Sequence, residues 1–472
     1  AALAVLRPTT PARPGRRRGR PLQAPRRLRR PLAFAVLAAL ALSGCGRAGQ
    51  EPARHLVLIT VDTWRGDHAF AERAGVALTP ELERFAAGGT RFTAASSVAN
   101  VTSPGVAGIL TGLLPFRSGV ATNPHLLSDR VPTLAAMARA AGLATAGVVG
   151  NQVLRPGMGF EQGFDHYELV SPDPGRPKAR ADAVTDAALA AADALPRDGR
   201  LLLWVHYMDP HGPYTPPAEL LELFPAEAFE ADERIRLVRD PSGLGGIPPY
   251  QQRARSRPSR DGRDYLARYA AEVRFMDREV GRLLAGLEER GFLAAAAVAV
   301  TSDHGEALAG DHGYYFGHAN GATEDQLHVP LVVACPGCPA GSVVERPVST
   351  ADLLPTLVAL LGLEVPSGHT LDGVPLLAEE PRLVYARAPE EVSLRSGDWK
   401  GIWNLRGGSG RLFDLAADPG ELRDLAAEDP ERLALLAGRL RELHRRPVLA
   451  KPRMRPPPDP RRARELKALG YL

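Results

Sequence analysis

The sequence predicts an α/β sandwich built on a large, mostly parallel central sheet. Three observations predict it. Short apolar runs rich in β-branched residues recur at 55–61, 144–149, 201–207, 296–301 and 327–334, as expected of strands buried on both faces. Helical segments alternate with them at 78–87, 131–141, 181–195, 264–290 and 350–361, and such alternation builds parallel βαβ units. Carboxylates and histidines follow three of the strands directly, at the edge where open α/β sheets hold ligands.

In chain order, HLVLITV leads into Asp62-Thr63 and then Trp64-Arg65-Gly66-Asp67-His68. Thr79 and Pro80 open the first helix as N-cap and first residue. Residues 100–119, NVTSPGVAGILTGLLPFRSG, read as a loop running into a helix, with Thr102 as N-cap and Pro104 in the first turn. Residues 157–167 form a Gly-rich loop with aromatics. LLLWVHY delivers His206, Asp209 and His211 at its end, and 213–252 is a Pro-rich surface excursion. The strand at 296–301 runs into Asp303-His304-Gly305-Glu306, then Asp311-His312-Gly313 and Gly317-His318. Thr350 or Asp352 caps the helix ending at 361. Short strands at 382–387, 392–395, 399–405 and 411–415 and a helix at 430–443 read as a small C-terminal antiparallel α+β subdomain. The Pro/Arg-rich stretch 445–462 is extended, and the final RELKALGYL is apolar enough to dock. The domain reading is a leader at 1–44, a catalytic α/β domain at 54–380, the subdomain at 381–444 and a tail at 445–472.

The chain has 472 residues, 44% hydrophobic and 24% charged, an ordinary globular balance. Its formal net charge of +4 belongs to residues 1–44, which carry ten arginines and no acid. The remainder holds 48 basic against 54 acidic residues, which argues against a nucleic-acid partner. The leader runs from RRLRR into PLAFAVLAALALSG, too short to span a bilayer comfortably. Leu42-Ser43-Gly44-Cys45 resembles a bacterial lipobox. A secretory signal, lipidation of Cys45 and a membrane-anchored place in the bacterial cell envelope, facing the periplasm or outside, are therefore expected. Cys335 and Cys338, in CPGC, predict a small local disulfide.

Taken alone, the Thr102 stretch is an ordinary capped helix. Its surroundings change that. In a parallel sheet the strand ends at Asp62, Asp209 and Asp303 fall on one edge, and the helix opening at Thr102 sits on the same edge. Asp62, Asp303 and His304 make a set for one divalent cation, with the Thr102 oxygen as a further ligand. Carboxylates with a neutral imidazole suit Mn²⁺, Zn²⁺ or Mg²⁺ better than Ca²⁺. A cation there lowers the pKa of the Thr102 hydroxyl and activates a weak nucleophile. His206, Asp209, His211 and His318 form a second ring, suited to a second metal, to the non-bridging oxygens of an anionic ester, or to protonating its leaving group. His312 and His328 read as structural.

At these residues the chain resembles the sulfatase family of the alkaline phosphatase superfamily, from about residue 54 onward. VLITVDTWRGDH is similar to its first metal motif and TSPGVAGILTGLLPFRSGV to its signature. VTSDHGEALAGDHGYYFGH with QLHVPLVV is similar to its second metal motif and the strand after it, and LFDLAADPGELRDLAAE to its C-terminal pattern. The resemblance implies an alkaline-phosphatase-like sheet and metal-dependent cleavage of small, glycan or lipid esters. Thr102 falls where the family has the Cys that becomes formylglycine, Val106 at its signature Arg, and Thr63 at the second Asp of its first metal motif. Gly150-Asn151-Gln152-Val153 replaces a Gly-Lys-x-His segment, His318 replaces the Lys that contacts sulfate, and His211 matches the substrate-binding His. A Thr nucleophile is similar to that of the superfamily's phosphodiesterases and lipid A phosphoethanolamine transferases, which use two metals. The first reading is a hydrolase of sulfate or phosphate (di)esters acting through a Thr102 alkoxide, with His211 and His318 as its catalytic partners. The alternatives are a phosphoethanolamine-type transferase of the same fold and a catalytically degenerate binding protein.

Overall fold

The structure, a computed structural model, describes residues 51–471 apart from 197, 255, 256, 309, 311 and 409. The leader, Cys45 and Asp311 lie outside the described residues. The strands are β1 (His55–Val61), β2 (Glu72–Arg73), β3 (Val76–Ala77), β4 (Thr90–Ser96), β5 (Ala144–Val149), β6 (His166–Leu169), β7 (Leu201–Tyr207), β8 (Ala296–Ser302), β9 (His328–Ala334), β10 (Ser342–Val344), β11 (Val348–Ser349), β12 (Leu383–Arg387), β13 (Glu391–Ser396), β14 (Trp399–Asn404) and β15 (Arg411–Asp414). The α-helices are α1 (Pro80–Ala86), α2 (Thr102–Thr111), α3 (Pro115–Ser118), α4 (Leu134–Ala140), α5 (Ala181–Ala194), α6 (Ala218–Leu221), α7 (Gly262–Glu289), α8 (Glu324–Leu327), α9 (Leu353–Leu361), α10 (Pro430–Leu443) and α11 (Pro460–Ala468).

Nine strands form one sheet in the order β10-β4-β9-β8-β1-β7-β5-β6, with β11 also beside β4. The sheet is mostly parallel, and β9 runs against both of its neighbours. Every residue of β1, β7 and β8 is buried, which is why these strands read as unbroken apolar runs rather than alternating ones. Along β1, Val57, Ile59 and Val61 enter one core while Leu56 and Leu58 enter the other, the period-two alternation of a strand covered on both sides. Helices α5 and α7 cover the first face, through Val184, Ala188, Tyr269 and Leu283. Helices α2, α4 and α9 cover the second, through Ile109, Leu134 and Leu357. Each large side chain so buried contributes roughly 1.5–3 kcal/mol.

A second, antiparallel sheet has the order β12-β13-β14-β15. Leu436 and Leu440 of α10 pack on its Leu394 and Trp403. Buried Lys400 of β14 ties this sheet to the large one by reaching Glu324 of α8, just before β9, at 2.7 Å, and pairs with Glu421 of its own subdomain at 2.8 Å.

Several elements differ from expectation. Strand β4, TRFTAAS, has too few apolar residues to announce itself, and β6, HYEL, has an exposed or half-buried pattern. Helix α7 starts two residues early because Asp261 caps it by accepting from Arg263 N at 3.0 Å. The turn at 350 is capped by Ser349, which forms a capping box with Asp352, rather than by Thr350. Cys335 and Cys338 are joined as a disulfide just past β9. Among the described residues no helix is long and apolar enough to cross a membrane.

Candidate active site

Four strand ends and one helix start converge at the carboxyl edge of the sheet. Asp62 follows β1, Asp303 and His304 follow β8, His206 lies near the end of β7, Asn151 follows β5, and Thr102 opens α2. All six are buried. His206 sits in register with Thr60 of β1 and Val149 of β5, so the ladder itself sets its height beside Asp62.

Asp62 Oδ1 lies 3.5 Å from His304 Nε2, Asp303 Oδ2 lies 3.7 Å from the same nitrogen, and Asp62 Oδ2 lies 3.9 Å from His206 Nε2. Asp62, His206 and Asp303 each offer a ligand atom within 4.8 Å of the others. Asp62 Oδ1, Asp303 Oδ2, His206 Nε2, His211 Nε2 and His304 Nε2 are all buried without a hydrogen-bond partner. Such orphans are rare in folded proteins, and these converge on one place. Two carboxylates with neutral imidazoles are the donor set a transition-type divalent cation takes. The residues present therefore fit the metal, and His206, expected in the outer ring, stands with Asp62 and Asp303 in the inner one.

The imidazoles are turned for that role. His304 Nδ1 donates to Gly305 O at 2.9 Å and His211 Nδ1 to Gly212 O at 2.7 Å. A carbonyl can only accept, so each Nε2 is a bare lone pair. His206 Nδ1 lies 2.8 Å from Thr60 Oγ1, which accepts from Trp204 Nε1 at 2.9 Å, an outer support that fixes the ring. Burial and nearby His318 push His304 down to about 3, and burial pushes His211 down to about 4. Burial and the facing Asp62 raise Asp303 well above the usual carboxylate range. Asp62 is buried too, but His211, His206 and His304 outweigh that and hold it low. Two carboxylates this close resist double ionisation until a cation joins them.

Thr102 is not an N-cap. Val101 takes that place in an extended conformation, and Thr102 is the first helical residue, with no capping bond from its side chain. Its hydroxyl instead lies 3.5 Å from Asn151 Nδ2. Gly105 makes the approach feasible, because a Cβ there would come within 2.4 Å of Asp303 O. Ser103 faces elsewhere, with its N–H and hydroxyl both held by Asn123. Thr63 has φ 56°, a left-handed conformation costly for a β-branched residue, and its buried Oγ1 has no partner.

Of the outer ring, His318 arrives. Its Nδ1 lies 3.2 Å from Glu306 Oε2, and its ring centre is 4.7 Å from His304 and 5.0 Å from His211. Burial opposes charge on His318, but Glu306 outweighs it and raises its pKa. Asp209 does not join the site. Its carboxylate takes Lys178 Nζ at 2.7 Å and Ala181 N at 2.7 Å, and a buried ammonium is a strong partner for a buried carboxylate. Lys178 also binds Glu272 and the carbonyl of His211. Outside the centre, His328 is held by Thr93 O at 2.9 Å.

Sequence reasoning gave no role to two residues. Asn151 donates to Asp62 Oδ2 and reaches Tyr471 Oη at 2.7 Å. Tyr471 follows α11 and lies 320 positions away in the chain; only the apolar character of its segment hinted at docking. Beyond them opens a cavity of about 240 Å³, lined in part by Val101, Asn123, Tyr250, His318 and Tyr471, with no Lys or Arg among the described residues of its wall.

The chain is similar to N-acetylgalactosamine-6-sulfatase of Sus scrofa, with 27% identity over 386 residues, covering 75% of this chain and 70% of that protein. It is similar to choline-sulfatase of Rhizobium meliloti (strain 1021), with 26% identity over 439 residues, covering 80% and 83%. Its fold is shared with phosphonate monoester hydrolase of Agrobacterium radiobacter, at a TM-score of 0.67 and 22% identity, covering 86% of this chain and 100% of that one. Residues 54–363 match the sulfatase family, well over half of the sequence, and the chain belongs to that family of hydrolases.

Proposed function

We propose that this hydrolase cleaves sulfate or phosphate esters, mono- or diesters, with Thr102 Oγ as nucleophile. The observation that carries the reading is the set of unpartnered ligand atoms converging beside a helix-opening Thr freed from capping. Asp62, Asp303, His304 and His206 would hold one divalent cation. Such a cation, when bound, supplies Lewis-acid polarisation of the ester and lowers the pKa of a neighbouring hydroxyl. The start of α2 places backbone N–H groups and the positive helix end toward the anion. Thr102 Oγ gives its proton to the bare Nε2 of His211 and bonds to the sulfur or phosphorus while the bond to the leaving oxygen breaks. His318, held by Glu306, protonates that oxygen. Water then attacks the Thr102 ester and loses its proton to the now neutral His318, while His211 returns a proton to Thr102 Oγ as that bond breaks.

The test is turnover by a chain starting just after Cys45, in Mn²⁺ or Zn²⁺, against an aryl sulfate, an aryl phosphate monoester and a bis-aryl phosphate. Turnover of at least one that disappears in Thr102→Ala supports the reading; no Thr102-dependent turnover contradicts it. An added alcohol acceptor separates transfer from hydrolysis.

The leader and Leu42-Ser43-Gly44-Cys45 support anchoring through lipid on Cys45 in a bacterial envelope. Incorporation of labelled palmitate that Cys45→Ala abolishes is the expected result.

A further inference from the structure

Among the described residues the wall of the anion pocket holds no Lys or Arg, and His318 is the side chain there that can carry positive charge. Among the described residues, the ion pairs of Asp62 and Asp303 are with histidines alone. The loop after β5 carries Asn151, Gln152 and Val153, none of them charged, and brings Asn151 to Asp62. A segment far along the chain fills that side instead.

Helix α11 docks through Leu466 and Leu469, both buried. The chain then turns at Gly470, whose φ is 82°, against the ring of Tyr250. This turn aims the Tyr471 phenol into the site. Its ring centre lies 5.2 Å from that of His211, its Oη lies 2.7 Å from Asn151 Nδ2 and 3.5 Å from Asp62 Oδ2, and it also meets the Thr102 hydroxyl. The other edge of Tyr471 lines the cavity of about 240 Å³, so the phenol stands between the cavity and the reaction centre.

The amide of Asn151 sets the direction of that phenol's hydrogen. Asn151 Oδ1 accepts from Val153 N at 2.8 Å, so Nδ2 must face the site, where it donates to Asp62 and to Tyr471. The Tyr471 oxygen is thereby an acceptor toward Asn151. Its own O–H is left to point at the centre, toward Asp62 Oδ2 at 3.5 Å and the Thr102 hydroxyl, where the group bound at Thr102 would sit.

We propose that Tyr471 is a substrate-positioning residue, whose phenol donates a hydrogen bond to a non-bridging oxygen of the tetrahedral sulfate or phosphate group bound at Thr102. It stands, uncharged, beside the loop after β5, where the family pattern has a Lys and a His and this chain has Asn151 and Val153. The inference rests on the site being an oxyanion site, as the proposed function has it.

The test uses the full chain loaded with Mn²⁺ and its Tyr471→Phe variant, with inorganic sulfate and inorganic phosphate titrated calorimetrically into each. Losing one hydrogen bond to a charged group weakens binding of the anion that the parent chain takes by about tenfold or more. In turnover of an ester that the parent chain cleaves, KM rises by a similar factor and kcat changes less. Gly470→Val is a second route to the same loss, since its side chain clashes with Tyr250 and swings Tyr471 out with the phenol intact. Unchanged anion affinity in Tyr471→Phe overturns the proposal, as does failure of the parent chain to bind either anion. Turnover that rises in Tyr471→Phe also overturns it, because the segment then blocks the site. Anion binding is read without turnover, so a protein that binds sulfate through Tyr471 but cleaves nothing separates this inference from the Thr102 mechanism.

Discussion

Two buried charge clusters lie at the carboxyl edge of the sheet, and their hydrogen bonding is opposite. Lys178, Asp209 and Glu272 are 3%, 1% and 1% exposed, and each finds a partner: the ammonium binds both carboxylates and the His211 carbonyl, while Ala181 N and Thr215 N complete the carboxylates. Asp62, Asp303, His206 and His304 are equally buried, yet each keeps a ligand atom without a partner. Burial of charge therefore does not mark function here. Unmet bonding capacity gathered in one place does, because several unsatisfied buried ligand atoms facing one another are what a bound cation would satisfy. The satisfied cluster still serves the other one, since Lys178 holds the backbone of His211 in place.

The contrast can be broken from either side. The largest expected effect is on turnover. Thr102→Ala should lower kcat/KM by at least about 1,000-fold, as losses of a nucleophile do, while the thermal midpoint barely moves. Next comes the satisfied cluster. Lys178→Met leaves two buried carboxylates without their cation and should cost roughly 3–5 kcal/mol in urea unfolding. Stripping metal with a chelator should cost less, about 2.7 kcal/mol relative to metal held at 100 times its Kd. Differential scanning calorimetry should show that stabilisation vanish in Asp303→Asn and persist in Asp209→Asn. The smallest effect, at most about 1.4 kcal/mol per pH unit, is a pH slope. Burial and Asp209 outweigh Lys178 and push Glu272 up to about 8. Between its ordinary value of 4.5 and about 8, the folded chain then holds a proton the unfolded chain has released. Stability from this group is full below that window, falls as pH rises through it, and levels off above. Glu272→Gln should make the slope shallower by its own share, since Asp277 and Glu421, both pushed up to about 7 by burial, add slopes of the same sign; an unchanged slope would show that Glu272 ionises normally.

Much of the fold was legible. Strands buried on both faces are unbroken apolar runs, so β1, β5, β7, β8 and β9 stood out, and the residues following β1 and β8 were where a parallel sheet puts ligands. Strand β4 was hidden because its burial rests on small residues, and β6 because the polar ends of HYEL mask it. Asp62, Thr102, Asp303, His304, His211 and His318 were readable as neighbours because topology alone brings them to one edge. Asp209 was not separable from them, since its partner Lys178 lies outside its own motif. Thr102 looked like a cap because Thr is a good one; the extended Val101 before it decided otherwise. Tyr471 was out of reach, because no local pattern reveals that a docked segment 320 positions from Asn151 will meet it.

The central claim is that the unsatisfied cluster holds a divalent cation and the satisfied one does not. The most direct measurement is metal content per chain after purification with Mn²⁺ and Zn²⁺, by inductively coupled plasma mass spectrometry, for the parent, Asp303→Asn and Asp209→Asn. The account predicts about one ion per chain in the parent and in Asp209→Asn, and a near-complete loss in Asp303→Asn. Equal metal in all three, or a loss confined to Asp209→Asn, would contradict it.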